Sequence, residues 1–130
     1  MKLKEYQEKA MTTCLPSCKN IPYMLFNLQG EVGELSSKIA KLIRKDMLRF
    51  MSVEYETREK ENVADFKFYS REEEREIIEA IAAECGDVLW QLSGICSVLG
   101  FSLEDVAKQN LAKLASRKAR GVIEGNGDNR

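Results

Sequence analysis

Apolar positions recur at helical spacing along most of the chain and mark out four segments. Leu3, Tyr6, Ala10 and Thr13 share one side of a helix over residues 2–14. The CLPSCKNIP run that follows is a turn region, stopped and restarted by Pro16 and Pro22. A second helix is predicted over 23–45, with Leu28, Val32, Leu35, Ile39 and Leu42 at steps of four and three. A third opens at Ser70, where Glu73 stands at the reciprocal capping position, and runs to Leu99 before Gly100. Its inner stripe reads Ile81, Cys85, Val88, Leu92 and Leu99. A fourth starts at an N-cap Ser102, with Asp105 three residues on, and reaches Arg120. The tail 121–130, GVIEGNGDNR, is glycine-rich, polar and loop-like.

There is no internal repeat and no clear alternating strand. Four helices in one domain, 1–130, predict an all-α fold, an antiparallel bundle of the four-helix type. Two places resist this pattern. The stretch 46–70 is too long for a plain loop in a small domain, so it extends the second helix, forms a short helix, or is a mobile flap. The other is the outward face of the third helix, which carries Ala83, Gly86, Trp90, Ser93 and Ser97. Small residues around a tryptophan predict a helix covered on both sides, by the 46–70 segment or by another subunit. The subunit interface is the preferred reading, so the bundle is expected to be oligomeric.

Composition narrows the function. With 20 basic and 21 acidic residues the chain has no broad field to draw nucleic acid or a membrane surface. No run approaches 18 apolar residues, and MKLKEYQEKA lacks the apolar core of a secretory signal, so a cytoplasmic location is expected. The absence of histidine excludes Ser-His-Asp and Cys-His nucleophile chemistry and the Glu-x-x-His ligands of di-iron bundles. Cys14 and Cys18 have the spacing of half a zinc site, but Cys85 and Cys96 lie eleven apart. That is about three helical turns, so these two are expected to be buried core thiols.

Acidic residues three apart share a helix face, and the chain has six such pairs. Their surroundings separate them. Glu5/Glu8, Glu56/Glu59, Glu73/Glu76 and Glu76/Glu79 sit among Lys9, Lys60, Arg71 and Arg75, as solvated faces with ion-pair partners do. Glu84/Asp87 has no cation within four residues on either side, and neither has Glu31, although Glu34 has Lys38 within reach. Both pairs border the apolar stripes of their helices, so four carboxylates converge if the stripes pack. Two like charges 4–5 Å apart repel by about 3–4 kcal/mol at a surface-like dielectric. Protonation relieves that repulsion; so does a hard cation, Mg²⁺ or Mn²⁺, on all-oxygen ligands. The alternative is close helix packing with the carboxylates turned to water. Gly30, Gly33 and Gly86, each beside an acidic residue, give room for a close backbone or for a bulky ligand.

The paired motifs, Glu31-x-x-Glu34 and Glu84-x-x-Asp87, stand in LQGEVGEL and ECGDVLWQL, with NLAKLASRKARGVIEGNGDNR downstream. Together they resemble the MazG-like nucleoside triphosphate pyrophosphohydrolases, the all-α NTP pyrophosphatases. The resemblance covers the second and third helices and the C-terminal fifth; Tyr6-Gln7 also fits. It implies a helical oligomer, a homodimer or homotetramer, that binds Mg²⁺ through Glu31, Glu34, Glu84 and Asp87. It also implies hydrolysis of an NTP or dNTP between the α- and β-phosphates to a monophosphate and pyrophosphate. Lys113 and Arg117 would contact the phosphates, with Asn110 beside them. These three fall at i, i+3 and i+7 on one face of the fourth helix, inside a segment with five basic residues and no acidic one. With no histidine, Glu31 is the expected general base. The 49 residues between Glu34 and Glu84 exceed the family's common spacing, and Gly30 stands where deoxyuridine-specific members often carry another glutamate. The rival functions are a non-catalytic helical oligomerisation or regulatory protein, and a nucleotide sensor without turnover.

Overall fold

The computed structural model describes residues 1–54 and 60–123, with side chains described for 1–49 and 65–123. Four helices carry the fold: α1 (Leu3–Ala10), α2 (Ile21–Arg44), α3 (Arg71–Leu99) and α4 (Leu103–Ala119). Between α2 and α3 stands one antiparallel hairpin, β1 (Leu48–Glu54) with β2 (Lys60–Phe66). The chain is all-α in class. The hairpin replaces the helix extension and the short helix that the sequence reading of 46–70 allowed. Its strands are short, and the KEN run that opens β2 carries no period-two apolar signal. Residues 55–59, with the expected Glu56/Glu59 pair, lie outside the described residues.

Local chemistry sets the helix ends. Asn20 caps α2, its Oδ1 accepting from the Tyr23 backbone N–H at 2.9 Å. Pro22 sits in the first turn, where a missing N–H costs nothing. So α2 begins at Ile21, two residues before the predicted start at 23. Ser70 Oγ accepts from Glu73 N–H at 3.1 Å, and Glu73 Oε2 reaches back to the Tyr69 N–H at 2.8 Å. Ser102 caps α4 through Asp105 N–H at 3.4 Å.

Three helices stop in the same way. After α2, α3 and α4 a residue with positive φ reverses the chain: Asp46 (58°), Gly100 (76°) and Gly121 (66°). The next N–H then bonds five residues back: Met47 to Leu42 O, Phe101 to Cys96 O, and Val122 to Arg117 O. These are Schellman caps. At the first of them an aspartate occupies the position that glycine usually takes. Arg49 Nε donates to Asp46 Oδ1 at 2.6 Å and a second guanidinium nitrogen reaches Oδ2. The Asp46 carboxyl is held below its ordinary value first by that hydrogen bond.

The chain divides into two compact parts, Met1–Leu25 with Trp90–Arg130, and Phe26–Leu89. In the second part α2 and α3 run antiparallel. Leu42, Met47 and Leu48 form its core, with Ile39, Phe68, Ile77 and Ile81 packed against them. The Asp46 cap brings Leu42 and Met47 together, so the helix stop also builds the core.

In the first part α1 reaches the end of α3. Gln7 is buried; its Nε2 donates to Ser97 Oγ (2.9 Å) and Phe101 O (3.0 Å), and its Oε1 accepts from Leu103 N–H (2.8 Å). Trp90 Nε1 donates to Ala10 O and Thr13 Oγ1. On this face of α3, Trp90 and Ser97 are hydrogen-bonded to the N-terminal segment. Met24 is fully buried and takes the space that Gly94 leaves: a Cβ on Gly94 would lie 2.3 Å from the Met24 sulfur.

The expected inner stripe of α3 does not hold. Cys85, Leu92 and Leu99 are exposed, whereas Glu84, Gln91, Ser93 and Cys96 are buried. The buried line is rotated toward polar residues, which an apolar-periodicity reading passes over. All four cysteines are free, and of the two expected core thiols only Cys96 is buried. Among the described residues no single helix is long and apolar enough to cross a membrane.

Candidate metal centre

The carboxylates belong to the part spanning Phe26–Leu89, where α2 carries Glu31 and Glu34 and α3 carries Glu84 and Asp87. Core residues from Ile39 to Leu42 on α2 pack with Ile77 and Ile81 on α3. In an antiparallel pair, a step back along α2 is matched by a step forward along α3. Glu31 therefore arrives opposite Glu84 and Asp87. One carboxylate oxygen from each of these three lies within 4.8 Å of the others. Glu84 is buried, Glu31 half-buried and Asp87 exposed.

Glu34 stands outside that group of three and is exposed. It is still close enough for its charge to act on Glu31. The Glu31 carboxyl is pushed above the ordinary 4.5, first by partial burial and then by the charges of Asp87, Glu34 and Glu84. Asn27, one turn earlier, opposes this by donating to Glu31 Oε1 at 2.9 Å.

Glu84 finds its counter-charge on the neighbouring helix. Lys38 Nζ lies 3.1 Å from Glu84 Oε1, with the two side chains 40% and 11% exposed. Local sequence matched Lys38 with Glu34 on its own helix and left Glu84 without a cation. Only the pairing of α2 with α3 brings Lys38 to Glu84. Asn27 and Lys38 are the two neighbours of the carboxylates that motif reading missed, and their sole signal was one-turn spacing from Glu31 and Glu34. Lys38 also borders a cavity of about 200 Å³, lined with Lys41, Lys45 and Glu73 as well as Leu42, Met47 and Ile77.

The arrangement suits a hard divalent cation: three convergent carboxylate oxygens, no nitrogen or sulfur donor, and one carboxyl already resisting ionisation. A Cβ built on Gly30, Gly33 or Gly86 meets nothing within 4 Å. Among the described residues nothing packs where those Cβ atoms would stand, so the glycines leave open space beside the carboxylates. The basic residues lie on α4, in the other compact part. Asn110 and Lys113 are exposed, while Arg117 is buried at 5% exposure, uncommon for arginine.

Paired helices with three convergent carboxylates make this an all-α protein with an acidic candidate metal centre. The MazG nucleotide pyrophosphohydrolase domain family matches residues 21–122, and the chain belongs to that family. It is also 34% identical over 114 residues to the gene 37 protein of Mycobacterium phage L5, covering 88% of this chain and 80% of the phage protein. No solved structure matches it.

Proposed function

We propose that the chain hydrolyses nucleoside or deoxynucleoside triphosphates between the α- and β-phosphates, with Mg²⁺ as cofactor and Mn²⁺ as a substitute. The observation that carries this reading is the convergence of Glu31, Glu84 and Asp87 on the facing helices of a MazG-family chain. Together with Glu34, these residues would hold the cation. Bound there, Mg²⁺ would supply charge neutralisation at the phosphates and acidify water.

The chain's own residues do the rest. Water adds to the α-phosphorus as the bond to the bridging oxygen breaks, and the products are a nucleoside monophosphate, pyrophosphate and a proton. Glu31 takes that proton. Asn27 holds its carboxylate in place. Lys113 and Arg117, with Asn110, bind the β- and γ-phosphates and offset charge on departing pyrophosphate. Exposed apolar side chains, among them Phe26 (74%), Leu99 (52%) and Leu111 (67%), support assembly into a homodimer or homotetramer.

The test is to incubate the protein with each NTP and dNTP plus Mg²⁺ and to identify the products. Pyrophosphate and monophosphate are expected, and Glu84→Gln should lower the rate by at least about a hundredfold. Orthophosphate release contradicts the reaction. Stabilisation by nucleotide without turnover leaves a sensor.

A further inference from the structure

Glu84 is buried, and a buried carboxylate requires a partner. Its helix offers no cation within four residues, and the partner that the fold supplies is the Lys38 ammonium at 3.1 Å. One lysine thus stands against the group formed by Glu31, Glu84 and Asp87. The lysine is not locked. Its side chain is 40% exposed, and Lys38 also lines a cavity with Lys41 and Lys45. An ammonium on a flexible four-carbon stem can leave one oxygen for another nearby without moving the backbone.

We infer that Lys38 is a resident counter-ion that exchanges partners. It holds Glu84 while the carboxylates lack a divalent ion, and it passes to an anionic phosphate oxygen of the nucleotide when Glu84 turns to that ion. This rests on the function proposed above. Two cations on one carboxylate repel each other, so Lys38 opposes metal binding in the free protein. A phosphate oxygen entering beside the site gives the displaced ammonium a new acceptor. The lysine then favours the nucleotide complex over the nucleotide-free one.

The two roles have opposite signs, and that separates them from a merely structural lysine. Mg²⁺ binding to the nucleotide-free protein is measured by calorimetry for the native chain, Lys38→Met, Lys38→Gln and Lys38→Arg, and kcat/KM is measured alongside. Both neutral variants should bind Mg²⁺ roughly three- to tenfold more tightly, the scale of a partly exposed ion pair. Their kcat/KM should nonetheless fall by about tenfold or more, from loss of a charge-assisted phosphate contact. Lys38→Arg should stay near the native values in both. Unchanged or weaker Mg²⁺ binding in the neutral variants overturns the exchange while leaving the hydrolase reading intact. If the native chain fails to bind Mg²⁺ at all, the hydrolase reading falls, and this inference with it.

Discussion

Replacing Glu31 by glutamine is expected to stabilise the metal-free protein and weaken the metal-bound one. The carboxylate oxygens of Glu31, Glu84 and Asp87 lie within 4.8 Å of one another. At that separation each like-charge pair costs about 1 kcal/mol at a water-like dielectric and about 3.5 kcal/mol at an effective value of 20. Glu31 is half-buried, Asp87 is exposed and Lys38 offsets part of the charge on Glu84, so the lower figure applies. The glutamine carbonyl can still accept from Asn27, which keeps the local hydrogen bond. The net gain is then about 1 kcal/mol, or roughly 3–5 °C in Tm for a chain of this size. Saturating Mg²⁺ should reverse the order. An ion at a hundred times its Kd stabilises the native chain by about 2.7 kcal/mol, and a variant that binds thirtyfold more weakly gains only about 0.9 kcal/mol. Thermal melts with EDTA and with Mg²⁺ are the assay, and the two curves should exchange places. A variant less stable than the native chain in EDTA, or equally stabilised by Mg²⁺, refutes the reasoning.

Glu31 also gives the metal-free protein a pH signature. Its folded pKa lies above the ordinary 4.5, so the native state binds the proton more tightly than the unfolded chain does. Its contribution is present below that value and lost as pH rises through the raised pKa; Glu31→Gln should flatten this decline in EDTA melts. Gly94→Ala should cost about 1–3 kcal/mol, because the added Cβ overlaps the fully buried Met24 side chain. Chemical denaturation of Gly94→Ala, with and without Met24→Ala to relieve the overlap, checks this. Gln7→Leu leaves Ser97, Phe101 O and Leu103 N–H without their buried partner and should cost about 2–4 kcal/mol, again by denaturation. An unchanged midpoint would show that the amide does not fasten this corner.

The helices were legible because their signals are local. Ser70, Ser102 and Gly100 mark ends by chemistry confined to four or five residues, and those ends match. The hairpin was hidden because pairing of β1 with β2 is non-local and neither strand alternates cleanly. Glu31, Glu84 and Asp87 stood out because no cation lies within four residues of them, and these three meet in space. What sequence spacing missed was the partner across the helix pair. Lys38 is one turn from Glu34, so proximity along the chain pointed to the wrong carboxylate. Gln7 and Trp90 do structural work through their hydrogen bonds to Ser97, Phe101, Ala10 and Thr13. The misread stripe of α3 has the same origin, since burial there selects Glu84, Gln91 and Ser93 over Leu92.

The hairpin leaves and rejoins the helices at a single doorway: Leu48 faces Phe66, and the Lys67 N–H bonds to Met47 O at 2.7 Å. A hairpin paired at its base can lengthen at its tip without altering that pairing. The interval between Glu34 and Glu84 is thus the sum of a rigid part, set by helical rise, and an elastic part, set by the ribbon. Natural insertions and deletions can accumulate in the second without shifting one carboxylate relative to another. A long gap between the two acidic motifs is then no measure of distance from shorter-gapped relatives.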